Sequence, residues 1–375
     1  MKVAIVHYWL VGMRGGEKVV EALCEMFPEA DIYTHVHDPA AISATINRHA
    51  IRTTFIAKLP KAREWYQRYL PLMPLALEQL DLRGYDLVIS SESGPAKGFV
   101  VSPGCVHICY CHTPMRYLWD MYHDYLETAG RLTRWIMRPA AHYLRLWDLA
   151  TSFRVDHFVA NSRYVARRIA KHYRREADVV HPPVAVEDFQ VAEAPEDYYL
   201  MVGQLVAYKR TDLAVEAFNR MGKRLVVIGD GEQLAPLRNV AGPNVRLLGR
   251  QPFSVIRDAY AKCRALIFPG VEDFGIVPLE ASASGRPVIA FRAGGALETV
   301  VDGETGLFFD AQTPEAIIEA VDRFEATMSR FDPARIRRHA EGFRTDRFKA
   351  EMRAVIEDRL ARERAGDVNL GSGGA

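Results

Sequence analysis

The chain has 375 residues, of which 49% are hydrophobic, and this is more than one comfortable hydrophobic core requires. The formal net charge of +1 argues against a dedicated nucleic-acid binder, and the five cysteines lack the spacing of zinc ligands. No apolar run approaches the roughly 18 residues needed to span a bilayer, and the chain enters a strand-like segment without a signal peptide. We therefore expect two domains, reduced thiols and a cytoplasmic protein that is soluble or peripheral at a membrane.

The chain opens with a predicted strand over residues 2–10, a glycine-rich loop over 12–16 and an amphipathic helix over 17–26. The amides of Gly15 and Gly16 and the helix N-terminus would favour a diphosphate. The alternative is a turn that needs glycine only for its backbone conformation. Further short apolar segments, at 31–35, 87–90, 106–111 and 158–161, alternate with helical patterns such as 164–173. This alternation predicts a parallel sheet.

A histidine follows the apolar segment 106–111, at the strand end where parallel sheets bind ligands. Taken alone, His112 is more often a hydrogen-bonded structural residue than a catalytic one. The run over residues 112–120 adds three candidate acceptor contacts, Arg116, Tyr117 and Trp119.

A strongly basic stretch covers residues 131–175, with 11 arginines and lysines against two acids. Trp135 and Trp147 lie among these cations, a combination that suits an anionic membrane surface. The alternative is a helix pair with aromatic residues in the core and solvated arginines.

Residues 181–197 include prolines that interrupt regular secondary structure, so this segment is predicted to link the two domains. The predicted strands of the second domain are 199–203, 224–228, 245–248, 265–268 and 288–290, and its helices are 211–221, 253–263 and 314–330. The second domain is therefore also expected to be a doubly wound α/β unit.

Two carboxylates flank one loop of this second domain. Glu272 comes just after the apolar segment 265–268, and Glu280 lies in the short helical segment 280–284. Gly275 between them allows a ligand to approach the backbone. From the spacing alone, a solvated loop acid and a helix-face acid explain the pattern equally well.

The Glu272-x7-Glu280 spacing, Phe274-Gly275 within it, and the segments 285–290, 294–300 and 302–308 closely resemble retaining glycosyltransferases of family 4. The resemblance covers most of the chain. It implies the GT-B fold, with two facing Rossmann-like domains and an interdomain cleft. Residues 1–183 would form the acceptor-side domain, joined by a C-terminal helix over 345–365. Residues 184–344 would form the nucleotide-sugar domain, and 366–375 a disordered tail.

The resemblance also implies residue roles. Lys209 would bind the donor diphosphate, with Arg210 or Arg14 compensating for Gln204, where the family usually has arginine. Glu280 would accept hydrogen bonds from both ribose hydroxyls, and Glu272 would face the transferred sugar. The implied donor contacts are Gly15, Gly16, Gln204, Lys209, Arg210, Arg250, Asp273, Phe274, Gly275, Ile276 and Glu280, and the implied catalytic residues are His112, Lys209 and Glu272.

The run 112–120 looks like a segment of a mannosyltransferase-rich branch of the family, in which the histidine lies beside the transferred sugar. It implies GDP-mannose as donor, with UDP-sugars as the alternative, and a lipid-linked or oligosaccharide acceptor in surface polysaccharide synthesis. No Asp-x-Asp motif occurs at a strand end, so neither a metal nor a cofactor is expected. A sugar-nucleotide-binding protein and an epimerase of the same architecture stay open.

Overall fold

The computed structural model describes residues 1–128 and 130–371. The chain divides into two compact units, one made of Met1–Pro183 with the residues from Phe348 onward, the other of Val184–Arg347. The change of unit falls directly after Pro182 and Pro183, whose missing N–H groups cannot continue a strand ladder.

In the described residues, the first unit contains a seven-stranded sheet in which every pairing is parallel. Its strands are β1 (Val3–His7), β2 (Asp31–Thr34), β3 (Ile51–Thr53), β4 (Leu87–Glu92), β5 (Val106–Cys111), β6 (His157–Ala160) and β7 (Ala177–Val179). Their order is β3-β2-β1-β4-β5-β6-β7, so the direction of winding reverses between β1 and β4. Ligand crevices form at the carboxyl ends of strands at such a switch point.

The helices of this unit connect the strands and cover the sheet. They are α1 (Gly15–Met26), α2 (Ala44–Asn47), α3 (Ala62–Trp65), α4 (Met73–Glu78), α5 (Tyr122–Thr128), α6 (Arg131–Ser152) and α7 (Arg163–Tyr173). The amphipathic α1 buries Val19, Val20 and Leu23 against Ile5 and Ile89 of the central strands. Burying each such aliphatic side chain contributes roughly 1.5–3 kcal/mol. This packing holds the start of α1 at the carboxyl end of β1.

The second unit repeats this plan with a six-stranded parallel sheet in the described residues. Its strands are β8 (Tyr199–Val202), β9 (Leu225–Ile228), β10 (Val245–Gly249), β11 (Leu266–Phe268), β12 (Val288–Phe291) and β13 (Gly306–Phe309). The order is β10-β9-β8-β11-β12-β13, so its switch point lies between β8 and β11. Its helices are α8 (Thr211–Met221), α9 (Leu234–Val240), α10 (Phe253–Lys262), α11 (Ile276–Ala283), α12 (Ala296–Thr299), α13 (Pro314–Thr327) and α14 (Pro333–Glu341).

The last helix, α15 (Thr345–Gly371), belongs to the core of the first unit over much of its length. Its residues Phe348, Met352 and Ile356 are buried with the aliphatic side chains of β1 and β4. The helix continues past the predicted end at residue 365, because Gly366 costs only about 1 kcal/mol in a helix and no proline follows. The predicted tail is therefore helical as far as Gly371, and residues 372–375 lie outside the described residues.

The predicted α/β class with two parallel sheets is confirmed, and the sequence missed mainly short strands. The edge strands β3 and β7 have three residues each and are largely solvent-facing, so neither shows an apolar run. Helix α11 begins four positions before the predicted residue 280, directly after Gly275, which adopts a left-handed φ of 94°. In the described residues, no helix is both long enough and apolar enough to cross a membrane.

Candidate functional site

A pocket opens in the second unit where its sheet changes winding direction. One wall is the loop after β8, and the other is the loop after the adjacent β11. The lining residues are Met201, Val202, Gly203, Gln204, Leu205, Lys209, Thr211, Ile267, Phe268, Pro269, Gly270 and Glu272. Three of the residues singled out in the sequence, Gln204, Lys209 and Glu272, therefore share one pocket.

An ion pair joins the two walls. The Lys209 Nζ lies 2.9 Å from Glu272 Oε1, and the two side chains are 17% and 18% exposed. Gly203, with φ of 146°, lies beneath the ammonium group, where a Cβ would come within 2.9 Å of Lys209 Nζ. The Gly295 amide donates to the Glu272 carbonyl at 2.8 Å and holds the second wall. The pocket thus presents one cation and one carboxylate at fixed positions, partly shielded from water.

Glu280 projects from α11 and is held by a buried tyrosine. The Tyr260 hydroxyl donates to Glu280 Oε2 at 2.8 Å. Burial, together with the neighbouring Glu280 carboxylate, raises the pKa of Tyr260 well above its usual value, so the phenol stays a donor. A carboxylate has about four lone-pair sites, so Glu280 retains the capacity to accept from a vicinal diol. Tyr260 was not recognised in the sequence, because it lies inside an ordinary amphipathic helix.

Other predicted donor contacts do not line this pocket. The Arg210 guanidinium makes two hydrogen bonds to Asp212, at 3.2 and 3.1 Å, and its role in compensating for Gln204 stays a prediction. Arg250 is exposed directly after β10. The side chain of Phe274 is buried, with its ring centroid 5.9 Å from that of Phe343, so its role toward a ligand would be through the backbone. Asp273 lies in the same loop, and Gly275 and Ile276 form the start of α11.

A second group of polar residues lies in the first unit, at the carboxyl ends of the adjacent strands β1, β4 and β5. The Ser91 hydroxyl lies 2.8 Å from Nε2 of His112 and 3.0 Å from Nδ1 of His7. Gly16 packs against this group, since a Cβ there would lie 2.7 Å from the Tyr8 hydroxyl and 3.6 Å from His112 Nε2. The predicted glycine loop and His112 are therefore neighbours. His7 and Ser91 were missed, although each is a polar residue at or near the end of an apolar strand.

The imidazole of His112 is neutral over the physiological range. Burial, with a smaller contribution from His7, lowers the pKa of His112 to about 3. The predicted catalytic histidine can therefore donate one hydrogen bond and accept another, but it does not carry a positive charge near pH 7.

A buried ion cluster supports the run that follows His112. The Lys97 ammonium lies 2.6 Å from Glu92 Oε1 and also contacts the Asp148 carboxylate, and all three side chains are fully buried. Burial alone would lower the pKa of Lys97, but Asp148 and Glu92 raise it above its usual value. Burial raises the pKa of Glu92 to about 7 against the opposing effect of Lys97. The Trp119 indole donates to Asp148 Oδ2 at 2.7 Å, so its polar atom is used inside the unit.

Helix α7 fixes the same run from another side. The nearly buried Arg168 guanidinium contacts Thr113 Oγ1 and Asp120 and donates to the Pro114 carbonyl at 3.2 Å. The Tyr117 hydroxyl donates to the Met115 sulfur at 2.9 Å. Tyr117 and Trp119 thus have structural contacts, and their roles toward an acceptor, like that of Arg116, stay predictions.

The described residues include no group of three or more His, Cys, Asp or Glu side chains arranged to hold a metal ion. All five cysteines are buried, and Cys109 and Cys111 belong to the core as their place in an apolar strand predicts.

Two Rossmann-like units, each with a polar group at its switch point, define the class: the fold is GT-B, that of one large class of glycosyltransferases. The solved sucrose-phosphate synthase of Thermosynechococcus elongatus shares it, with a TM-score of 0.70 over 96% of this chain and 100% of that one, at 16% identity. Residues 13–188 match the family model "Glycosyltransferase Family 4", and residues 186–340 match "Glycosyl transferases group 1". The chain belongs to the glycosyltransferases that these two models describe.

Curated relatives match parts of the chain. An uncharacterized glycosyltransferase of Methanocaldococcus jannaschii is 30% identical over 179 residues, which cover 45% of this chain and 51% of the relative. The GDP-mannose-dependent alpha-(1-6)-phosphatidylinositol monomannoside mannosyltransferase of Mycolicibacterium smegmatis is 30% identical over 227 residues, covering 52% of this chain and 59% of the relative. The chain thus spans between half and six-tenths of the length of these relatives.

Proposed function

We propose that the chain is a retaining glycosyltransferase that moves a mannosyl group from GDP-mannose onto a lipid-linked or oligosaccharide acceptor without a metal ion. The observation that carries this proposal is the Lys209–Glu272 pair at the switch point of the second unit. A partly shielded ammonium group there suits a diphosphate leaving group, and a carboxylate beside it suits sugar hydroxyls.

In the proposed reaction, Lys209 offsets the negative charge that grows on the diphosphate as the bond from its oxygen to the anomeric carbon breaks. An acceptor hydroxyl oxygen forms the new bond to the same face of that carbon, and the leaving phosphate takes the hydroxyl proton. Charge-assisted contacts of this kind are worth roughly 1.5–3 kcal/mol each. Glu280, held by Tyr260, binds the ribose, and Glu272 orients the sugar. No enzyme nucleophile and no cofactor are required.

The identity of the donor base rests on the run 112–120 and on similarity to a mannosyltransferase that uses GDP-mannose. We expect calorimetric titration of the wild-type chain to show tight binding of GDP and much weaker binding of UDP. The Lys209→Ala variant, titrated in parallel, should lose most of the GDP affinity, because its pocket lacks the cation. Tight binding of UDP with negligible binding of GDP would mean that the donor is a UDP-linked sugar and not GDP-mannose.

Two other functions fit the same fold. Gln204 lines the pocket where the family usually has arginine, which favours a sugar-nucleotide-binding protein without transfer if the lost charge matters. An epimerase would act on the same ligand. A transfer assay distinguishes both from a transferase: a binding protein leaves the sugar on the nucleotide, and an epimerase returns an epimeric sugar nucleotide.

A peripheral membrane location is supported by α6. On this helix Leu132 and Trp135 are 77% and 78% exposed, whereas Trp147 is in the core. The arginines of the basic stretch do not all face solvent, since Arg168 is buried and Arg154 pairs with Glu78. The proposed contact surface is therefore the first half of α6, smaller than the stretch 131–175 suggests.

The chain is expected to float with vesicles of phosphatidylcholine and phosphatidylglycerol at low salt and to detach at high salt, since each surface cation contributes about 1 kcal/mol. Replacing Leu132 and Trp135 together by serine should abolish flotation. Val240→Ser, which changes an exposed apolar residue of the second unit (61% exposed), should leave flotation intact. If the wild-type chain stays unbound at low salt, the membrane proposal fails while the transferase proposal stands.

A further inference from the structure

The polar group at the carboxyl ends of β1, β4 and β5 continues to a buried carboxylate on α1. His7 Nε2 lies 3.8 Å from Glu17 Oε1, and the other carboxylate oxygen, Oε2, accepts the Arg14 amide at 3.0 Å. His7, Glu17 and Ser91 are at most 2% exposed. His7 Nε2 makes no hydrogen bond within the described residues, so the Glu17 carboxylate is the polar group that it faces. Four side chains therefore form a row from Glu17 through His7 and Ser91 to His112.

Proton counting leaves two arrangements of this row when both imidazoles are neutral. The Ser91 hydroxyl has one proton and contacts a ring nitrogen on each side, so it donates to one histidine and accepts from the other. If Ser91 donates to His7 Nδ1, then His112 carries its proton on Nε2 and leaves Nδ1 as an acceptor. If Ser91 donates to His112 Nε2, then His112 carries its proton on Nδ1 instead.

Glu17 distinguishes the two arrangements. In the second one, the bare lone pair of His7 Nε2 would face a carboxylate, which can only accept hydrogen bonds. In the first one, the same nitrogen carries a proton and its N–H dipole points toward the negative charge. Inside a buried site, where screening is weak, this difference favours the Nε2–H tautomer of a neutral His7.

We infer that Glu17, His7 and Ser91 act as a positioning relay that holds His112 in the Nε2–H tautomer, with Nδ1 as a hydrogen-bond acceptor. The ionisable groups beside this row include Tyr8, which packs on His7, Tyr110, which packs on His112, and Arg14, whose charge acts on Tyr8. This role rests on the proposed function: the relay gives His112 a bare ring nitrogen that accepts a hydrogen bond from a hydroxyl group of the transferred sugar. Glu17, His7 and Ser91 then control sugar orientation without touching the sugar.

The tautomer is measured directly by two-bond ¹H–¹⁵N correlation spectra of the full chain labelled with ¹⁵N-histidine. A His112→Gln spectrum assigns the His112 signals by their loss. We expect the neutral Nε2–H pattern at pH 7.5 and still at pH 5.5, because the folded pKa of His112 lies well below both values. An Nδ1–H pattern, or an imidazolium, in the wild-type chain at pH 7.5 overturns the inference.

The variant Glu17→Gln tests the direction of the relay. Its amide oxygen can keep the Arg14 N–H bond, and its NH₂ group then faces His7 Nε2 and requires an acceptor there. His7 should then carry its proton on Nδ1 and donate to Ser91, and Ser91 should donate to His112 Nε2. His112 should therefore change to the Nδ1–H tautomer. An unchanged His112 spectrum in folded Glu17→Gln also contradicts the relay.

The serine next to Ser91 provides a matched control. Ser90 is equally buried, and its hydroxyl lies 2.8 Å from Nε2 of a different histidine, His107. Ser91→Ala should leave His112 as a mixture of tautomers, whereas Ser90→Ala should leave the His112 signals unchanged. In a transfer assay, Ser91→Ala should lower kcat/KM about tenfold, the equivalent of one lost hydrogen bond, with GDP affinity unchanged. A normal tautomer response without any transfer activity would count against the proposed function alone.

Discussion

Replacing Lys209 by alanine is expected to lower the rate of sugar transfer by about two orders of magnitude or more while leaving the fold intact. The ammonium group is the cation that the structure brings into the pocket together with Glu272, at 2.9 Å. Preorganised charge in a partly water-excluded site acts on the transition state without a reorganisation cost, and removing one such group commonly costs a factor of about 100–1000. The loss should appear in kcat as well as in donor affinity, because the diphosphate charge grows as the bond breaks.

Lys262→Ala is the matched control for this result. Lys262 also pairs with a glutamate of the second unit, Glu196, at 3.2 Å, but both side chains are about half exposed and lie outside the pocket. Its transfer rate should equal that of the wild type. Glu280→Ala, which removes the carboxylate held by Tyr260, should lower the rate of sugar transfer by as much as Lys209→Ala does. Near-wild-type rates in both pocket variants would mean that the pocket does not bind the donor.

Replacing Lys97 by methionine is expected to destabilise the first unit by about 3–5 kcal/mol, because it leaves Glu92 and Asp148 buried without their cation. Methionine keeps most of the side-chain volume, so the effect is electrostatic rather than a cavity. The measurement is denaturant unfolding followed by a signal of the first unit, since two units can unfold in separate transitions.

Lys223→Met provides the comparison in the second unit. Lys223 pairs with Glu325, but these side chains are 30% and 26% exposed, so water screens the charge that remains. Its cost should be about 1 kcal/mol or less. If Lys97→Met lowers the free energy of unfolding no more than Lys223→Met does, the buried cluster does not stabilise the first unit and the run from His112 to Trp119 as we infer.

The family resemblance singles out Lys209 and Glu272, and the topology of the second unit explains why they share one pocket. Lys209 and Glu272 each follow an apolar strand, and the carboxyl ends of parallel strands meet at one edge. Their pairing required only that β8 and β11 be neighbours, which the doubly wound order supplies. The pairing of Arg210 with Asp212 could not be foreseen, because the sequence does not show which group a guanidinium in a loop contacts.

The first site depends on contacts between residues far apart in the chain. His7, Ser91 and His112 meet because β1, β4 and β5 are adjacent, an order that no local pattern in the chain reveals. Lys97 and Asp148 are likewise brought together by the packing of α6, and a mid-helix aspartate gives no sign of burial. Local periodicity therefore locates strand ends, whereas the partners at those ends follow from the sheet order.

Transfer of a sugar is measured most directly by following radiolabelled mannose, supplied as GDP-mannose to the wild-type chain with a lipid or glycan acceptor extract. We expect label to move into the lipid or glycan fraction, in proportion to time and enzyme, and Lys209→Ala to lose this transfer. Label that stays on the nucleotide, is only bound, or returns as an epimeric sugar nucleotide would contradict it.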